Sequence, residues 1–301
     1  MAHDPHRHSA YSDPGRHGAL LDDVPTDLPG LSNIARNVIA HYRGAADRLP
    51  AATRGDIHSR WLSAILDLDQ QRHSAPLSEP REEATRVQGC CRDHSLFCVG
   101  VLRQHGMAAR SRVGFAGYFE PGFHHDHVVV EAVQGDRWVR FDPEVADPLG
   151  DLATPLDMPV GTDSSFLTAA EAWQGYRTGR LDPDRFGVGP DVFLHGPWFI
   201  QNYLLFELAH RLGDELLLWD IWGAMSGPGG PTPAETAIAD EVAALLVAAD
   251  GGDAAAEAEL ARRYAADDRL HPGESVVRHS PYGEPPIRER VGRRAAASNM
   301  T

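Results

Sequence analysis

The sequence predicts an α+β fold with a C-terminal helical region, because a group of strands stands between two sets of helices. Three segments have the residue types and flanking turn signals of strands: residues 108–117, 127–133 and 137–143. The last two are separated by Gln134-Gly135-Asp136, which is typical of a hairpin turn. Apolar residues at helical spacing before and after these strands predict the helices.

Helices are predicted first on the N-terminal side of the strands. Residues 32–43, with Ser32 as the predicted N-cap, and residues 51–70 repeat apolar side chains at helical intervals. The pattern returns at residues 91–105, and Gly106 is a natural stop for that helix. The first strand follows directly, so this helix is expected to pack on the sheet.

Four more helices are predicted after the strands, and most have a recognisable start. Thr168 and Glu171 form a capping box, and Pro197 and Pro233 stand where the first helical turn tolerates proline. These helices are expected at residues 169–177, from 197 to a stop at Gly213, from 233 onward, and at 253–266.

The composition is that of a globular protein and excludes several function classes. Of 301 residues, 42% are hydrophobic and 24% charged, and no apolar run is long enough to span a membrane. The N-terminus lacks the basic-then-apolar order of a signal peptide, which predicts a cytoplasmic protein. A net charge of −15 argues against nucleic-acid partners and anionic membrane surfaces. All 28 basic residues are arginine.

Three cysteines lie close together, and the rest of the chain has none: Cys90, Cys91 and Cys98. Adjacent cysteines point apart, and Cys98 is too far along the predicted helix to join either, so the spacing argues against a zinc site. Thiols usually stay reduced in the cytoplasm, which argues against a structural disulfide. Cys98 is expected in the core. Cys90 is expected to be buried as well, with a resolving thiol as the alternative.

Cys91 has the position of a nucleophile, with a buried helix cysteine as the alternative. Gly89 allows a sharp turn into the helix, so Cys91 falls in the first turn. There the free N–H groups and the helix dipole favour a thiolate and can stabilise an oxyanion. A thiol nucleophile needs a base, and the base needs an orienting group. His127 begins one predicted strand and Asp142 ends the next, so pairing of the strands can bring the two together.

The segment "GCCRDHSLFCVGVLRQHGMAARSRVGF", followed by "HVVVE" and "RWVRFDP", closely resembles the transglutaminase-like superfamily. The resemblance implies Cys91 as nucleophile, His127 as base and Asp142 as orienting carboxylate, without a metal or cofactor. It also implies a papain-like fold, in which the helix carrying the cysteine packs on an antiparallel sheet. Val128 and Val129 stand where the family often has an aromatic residue, and a second cysteine precedes the nucleophile.

The composition, the predicted elements and the resemblance together predict how the chain is organised. We predict a flexible N-terminal segment at residues 1–20 and a transglutaminase-like catalytic core with N-terminal helices at 21–160. A helical extension packed on the core is expected at 161–228, and C-terminal helices with a basic tail at 229–301.

The expected chemistry is thiol acyl transfer, or hydrolysis, at an amide or thioester. The substrate would be a peptide, a protein or a small metabolite, with an amine as a second possible partner. One alternative is a peptidase or amidase that uses only water, and another is a non-catalytic binding module that retains the fold. A third, a metal-dependent hydrolase, would use His125 and His127.

Other residues are candidates for parts of a site. Tyr118, Phe119 and Phe123 either shape a substrate pocket or simply pack. Glu207 and His210 have the spacing of a metal-binding helix, but no second copy of the motif is present, so an ordinary pair is expected. Several aromatic residues are expected to serve as core: Trp198, Phe199, Tyr203, Phe206, Trp219 and Trp222.

Overall fold

A computed structural model describes residues 3–161 and 164–291. The α-helices are α1 (Gly18–Asp22), α2 (Leu28–Val38), α3 (Leu62–His73), α4 (Cys91–Gln104), α5 (Ala169–Arg177), α6 (Pro197–Arg211), α7 (Pro233–Asp250) and α8 (Ala254–Ala266). The strands are β1 (Ile39–His41), β2 (Val87–Gly89), β3 (Ala109–Glu120), β4 (Phe123–Gln134), β5 (Arg137–Phe141), β6 (Phe166–Thr168), β7 (Phe186–Gly187), β8 (Asp220–Ile221), β9 (Ser275–Arg278) and β10 (Ile287–Arg290). The last part of the predicted basic tail, residues 292–301, lies outside the described residues.

The central sheet has the strand order β5-β4-β3-β6, with β7 added beside β4. All pairs along the main path are antiparallel, and β7 alone runs parallel to β4. Gly135 has a φ of +64° in the turn between β4 and β5, a conformation that glycine adopts without strain. The sheet and its flanking helices confirm the predicted α+β class and the papain-like arrangement.

Helix α4 packs against β3 and β4 and is buried along almost its whole length. The Ser95 hydroxyl donates to the Val128 carbonyl at 2.9 Å, which joins the helix to the strand. Asp93 accepts from the Cys90 backbone N–H at 2.8 Å and so closes the first turn. Cys98 is fully buried among apolar residues, as expected.

The first predicted helix differs in its limits from the prediction. Helix α2 begins at Leu28, because the Asp27 carboxylate accepts from the Gly30 N–H at 2.9 Å and Pro29 occupies the first turn. It ends at Val38, where the chain becomes β1 and pairs in parallel with β2. The later starts are closer to the prediction, since Thr168 and Thr232 both form capping boxes.

The N-terminal segment is folded against the core, which differs from the flexible segment predicted for residues 1–20. Tyr11 is 1% exposed, and its carbonyl accepts from the Leu62 N–H at 2.8 Å. The Ser12 hydroxyl accepts from Arg103 at 3.0 Å. The buried Tyr11 ring and the hydrogen bond between Ser12 and Arg103 therefore order a segment whose composition is polar.

The C-terminal region surrounds α6, which contacts β3, α5, α7 and α8. Strands β8, β9 and β10 form a separate three-stranded sheet. Arg60 and Asp220 are fully buried and form an ion pair that ties this sheet to the chain before α3. One cluster of buried apolar side chains extends from Tyr11 to Val291. In the described part of the chain, no helix combines the length and apolar character that a membrane span requires.

Candidate active site

His127 and Asp142 form a buried hydrogen-bonded pair at one end of the central sheet. His127 Nε2 lies 2.8 Å from Asp142 Oδ2, and the two side chains are 4% and 0% exposed. The Tyr118 hydroxyl donates to the same carboxylate oxygen at 2.6 Å. The other oxygen accepts from the Glu144 N–H at 2.9 Å. The Asp142 carboxylate therefore accepts three hydrogen bonds, from His127, from Tyr118 and from the Glu144 N–H, which fix its position beside the imidazole.

The strand register explains why this pair forms. Val130 of β4 stands opposite Phe141 of β5, so one further step puts Asp142 opposite Val129. His127 is two residues from Val129 and points to the same face, because side chains alternate along a strand. A cross-strand diagonal of this kind is within reach of long side chains.

The pKa values of the pair are shifted in opposite directions. Burial raises the pKa of Asp142, but the charge and hydrogen bond of His127, together with the Tyr118 and Glu144 bonds, more than offset it, so the pKa is lowered. Burial lowers the pKa of His127, and the charge and hydrogen bond of Asp142 more than offset it, so the pKa is raised. The carboxylate is thus ionised, and the imidazole holds its proton more tightly than a free histidine.

Cys91 is the first residue of α4, as the sequence predicts, and its side chain is buried. A hydrogen bond to Cys90, then burial, raises the pKa of the Cys91 thiol well above its ordinary value. The thiolate expected from the helix dipole is therefore not the resting form. The described hydrogen bonds include none between Cys91 and His127. A contact that forms only with substrate is common at catalytic sites.

Cys91 and His127 line the same cavity, which has a volume of about 820 Å³. Phe119 also lines it and lies edge-on to the His127 ring, with centroids 5.0 Å apart. Tyr118 and Phe123 are buried and do not line the cavity. Of the three aromatic residues considered for a pocket, Phe119 alone contributes to this one.

Glu144 is a cavity residue that the sequence did not indicate. Its Oε1 lies 3.9 Å from His41 Nε2, and its Oε2 lies 4.0 Å from His94 Nδ1. Burial raises the pKa of Glu144, although the charges of His94 and His127 lower it. Within residues 3–161 and 164–291, its buried Oε2 has no hydrogen-bond partner. The only hint of Glu144 in the sequence is its position directly after the "FDP" motif that contains Asp142.

The opposite side of the cavity is aromatic and comes from the C-terminal region. We call the cavity residues between 188 and 228 the aromatic wall, whose largest members are Phe193, Trp198, Phe199, Tyr203, Phe206 and Trp219. Most of these residues were expected to be ordinary core. Sequence patterns identify them as apolar, but only the folded chain shows that they face Cys91. Trp222 does pack in the core and donates to the Leu270 carbonyl at 2.8 Å.

The remaining candidates have other partners. His125 lies 3.1 Å from Glu120 and 3.0 Å from the Val188 carbonyl. Glu207 accepts from Arg112 at 2.9 Å, and His210 lies 2.9 Å from the Ser111 hydroxyl. Among the residues that the structure describes, no three His, Cys, Asp or Glu side chains are grouped closely enough to hold a metal ion.

Part of the chain matches one family model. Residues 42–143 match the transglutaminase-like superfamily, which confirms the resemblance found in the sequence. The matched segment contains Cys91, His127 and Asp142. It covers about a third of the chain, and the whole aromatic wall lies beyond it. No curated protein matches the chain.

One solved structure that matches is described as "a Putative Cysteine Protease from Cytophaga hutchinsonii". The two chains are 19% identical, and the match covers 51% of this chain and 46% of the other, with a TM-score of 0.31. The chain thus spans about half the length of that protein. At this TM-score the likeness carries no argument about the site.

Proposed function

We propose that this protein is a transglutaminase-like thiol enzyme. In this proposal Cys91 takes the acyl group from an amide or thioester substrate and then passes it to an amine or to water. The observation that carries the proposal is the buried His127–Asp142 hydrogen bond of 2.8 Å in a cavity that also receives Cys91. A base held by a carboxylate beside a thiol is the arrangement that nucleophilic catalysis requires.

The proposed steps follow from the protonation states. Cys91 rests as a thiol, so His127 takes its proton as the sulfur attacks the carbonyl and the sulfur–carbon bond forms. The imidazolium then returns the proton to the leaving amine or thiol, and the acyl group remains on Cys91. An amine or water, deprotonated by His127, breaks the thioester and regenerates the thiol. Asp142 stays ionised throughout and stabilises the imidazolium.

The start of α4 would stabilise the negative oxygen that forms during the attack. The N–H groups of Asp93 and His94 bond to the Cys90 carbonyl, at 2.9 Å and 3.2 Å. The described hydrogen bonds leave the Cys91 N–H without a partner. We propose this group as one oxyanion donor, since free N–H groups at a helix start bind negative charge.

The decisive experiment is to trap the acyl-enzyme. The protein is mixed with an acyl thioester, quenched in acid and analysed by peptide mass mapping. We expect one acyl group on Cys91 in the wild type and none in Cys91→Ala. In His127→Ala, we expect acylation to be slower by on the order of 10²–10⁴-fold.

Cys98→Ala is the matched control, because it removes a buried thiol of the same helix that does not line the cavity. It should acylate like the wild type. If Cys91 stays unmodified while the fold is intact, the non-catalytic binding module becomes the better hypothesis. Equal acylation of all three cysteines would show only general thiol reactivity and would contradict the triad.

The acyl acceptor is determined by adding hydroxylamine or a primary amine to the same reaction. Amide product that increases with amine concentration identifies a transferase. Free acid that is unaffected by the amine identifies a hydrolase of the peptidase or amidase type. Both results keep the roles proposed for Cys91, His127 and Asp142.

A further inference from the structure

The two sides of the cavity differ in chemistry. The side from the family core carries the ionisable groups, among them Arg43, Cys91, Asp126, His127 and Glu144. The aromatic wall has no charged residue among its described cavity-lining members, although 24% of the chain is charged. A ligand held against Cys91 would therefore meet polar groups at its reacting end and an apolar surface beyond it.

The polar side carries charged groups that differ in their partners. The Tyr203 hydroxyl donates to Asp126, and burial raises the pKa of Glu144. Arg43 is exposed at the cavity, and its guanidinium carbon lies 5.3 Å from the centroid of the Tyr42 ring. A charged acyl chain bound against the aromatic wall would lose its hydration without meeting a charged partner there, and such desolvation is unfavourable.

Hydrogen bonds fix the position of the segments that form the aromatic wall. The Asn202 amide donates to the Ser226 carbonyl at 2.9 Å and accepts from its N–H at 2.8 Å. Gln201 donates to the Ala224 carbonyl at 2.8 Å and accepts from the Ser226 hydroxyl at 2.6 Å. These bonds fix the loop after β8 on α6, so the cavity is formed before any ligand arrives.

The size of the cavity agrees with a bulky ligand. Its volume of about 820 Å³ falls in the range of pockets that enclose small molecules, roughly 300–1,000 Å³. Cys91 is 4% exposed, so the carbonyl must come to the sulfur inside the cavity. An acetyl group or a glutamine side chain would leave most of the apolar surface uncovered.

From these features we infer that the acyl donor is a small molecule with a neutral, bulky apolar acyl group, alkyl or aryl, which binds against the aromatic wall. The inference rests on the proposed function, because it names the substrate class of the same site. Specificity for the acyl group would then lie outside the matched segment 42–143, in residues such as Trp219 and Ile221.

The test uses N-acetylcysteamine thioesters of acetyl, butanoyl, octanoyl and phenylacetyl groups, with a glutamine-containing peptide amide for comparison. The value of kcat/KM should rise about fourfold for each methylene added, until the wall is covered. Binding of the same thioesters to Cys91→Ala is measured by calorimetry, which gives affinities without turnover. The dissociation constants should fall in the same order.

A matched pair of variants tests the position of the acyl group. Ile221→Trp fills part of the cavity and should lower the octanoyl-to-acetyl ratio of kcat/KM by at least about tenfold. Ile287→Trp adds the same side chain on β10, where the residue is 46% exposed and outside the cavity, and should leave the ratio unchanged. Thermal unfolding of both variants shows whether the fold is intact.

The outcomes separate the inference from the proposed function. Tighter binding of octanoyl than of acetyl to Cys91→Ala, without turnover by the wild type, keeps the substrate class and overturns acyl transfer. Turnover that is equal for acetyl and octanoyl, or fastest with the glutamine peptide, keeps acyl transfer and overturns the substrate class. The same ratio in Ile221→Trp and wild type would also overturn it. Neither binding nor turnover would overturn both.

Discussion

Two buried clusters of ionisable groups flank the central sheet, and they are built in opposite ways. The arginine cluster holds Glu131 between Arg110 and Arg140, each 2.8 Å from the carboxylate, with Arg112 at 3.4 Å. Burial raises the pKa of Glu131, but the charges of the three arginines lower it by more than burial raises it, so the carboxylate stays ionised.

The site cluster, formed by Cys91, His127, Asp142 and Glu144, has no arginine in an ion pair with its carboxylates, as far as the described residues extend. The pKa values of its thiol, its imidazole and its second carboxyl group are all raised. Under the proposed function, the arginine cluster would serve stability and the site cluster would serve proton transfer. Perturbed pKa values alone would not separate them, because both clusters are perturbed.

Asp142→Asn should have the largest effect and should act on rate. The amide no longer stabilises the imidazolium and favours the wrong tautomer, so kcat/KM for a thioester should fall on the order of 10³–10⁴-fold. Burial, which lowers the pKa of His127, is then no longer offset by the charge of Asp142, so the pKa of His127 should fall. Since the base must be neutral, the acid limb of the pH–rate profile should move to lower pH.

Asp157→Asn is the control for that change, because Asp157 is an exposed partner of Arg137 far from the cavity. Its rate and pH profile should match those of the wild type. A loss of less than tenfold in Asp142→Asn would mean that His127 does not need an orienting carboxylate.

Glu131→Gln should act on stability instead. Two buried guanidinium groups, those of Arg112 and Arg140, and the partly exposed one of Arg110 lose their shared anion, which is expected to cost about 3–5 kcal/mol in the free energy of unfolding. The pKa of Glu131 is lowered on folding, so its stabilising effect is present above the unfolded pKa of about 4.3 and is lost as the pH falls below it. The difference from wild type in urea unfolding should therefore be largest near neutral pH.

The same Asp157→Asn variant supplies the surface reference for Glu131→Gln, with an expected cost below about 1 kcal/mol. The kcat/KM of folded Glu131→Gln should stay within about threefold of the wild type. A rate loss comparable to that of Asp142→Asn, at full occupancy of the native state, would show that the two clusters are coupled.

The sequence predicted those parts of the molecule that depend on local signals. The capping box at Thr168, the helix start at Pro233, the hairpin at Gly135 and the cysteine at the start of α4 are each encoded within a few neighbouring residues. The pairing of His127 with Asp142 follows from the alternation of two adjacent strands. Their roles in catalysis remain predictions.

Other parts depend on contacts between distant segments and could not be predicted in this way. Tyr118 contacts Asp142 from within an irregularity of the β3–β4 register, between Ala116 and Glu120, which interrupts the simple alternation of side chains. The aromatic wall joins residues after β7, along α6 and around β8. The segment around Tyr11 is bonded to an arginine and a glutamate far along the chain, because Arg103 donates to Ser12 and Glu215 accepts from Ser9.

Tyr118→Phe should have a smaller effect on the site cluster. It removes one of three donors to Asp142, so the rate should fall about five- to tenfold. The freed carboxylate oxygen then stabilises the imidazolium more strongly, and the pKa of His127 should rise. The acid limb of the pH–rate profile should move to higher pH, opposite to its movement in Asp142→Asn.

Tyr264→Phe removes a similar tyrosine–aspartate hydrogen bond, 2.8 Å to Asp214, outside the cavity. Its pH profile should be that of the wild type. If both tyrosine variants shift the profile alike, the shift reflects general loosening of the fold, and the assignment of Tyr118 to the orientation of Asp142 is wrong.

Cys90→Ala should have the smallest effect, and it acts on the thiol alone. The hydrogen bond between the two thiols is the first cause of the raised pKa of Cys91, and burial is the second. Without Cys90, burial and the charges of Glu144 and Asp126 still raise the pKa of Cys91, but its largest cause is gone, so the pKa should fall and more thiolate should be present at a given pH. Iodoacetamide labelling of Cys91, followed by peptide mapping near pH 7.5, should become about threefold faster. Cys98→Ala, deeper in the same helix, should leave the labelling rate unchanged. Slower labelling in Cys90→Ala would mean that Cys90 activates Cys91, and the thiol pair, rather than His127, would then be the first source of reactivity.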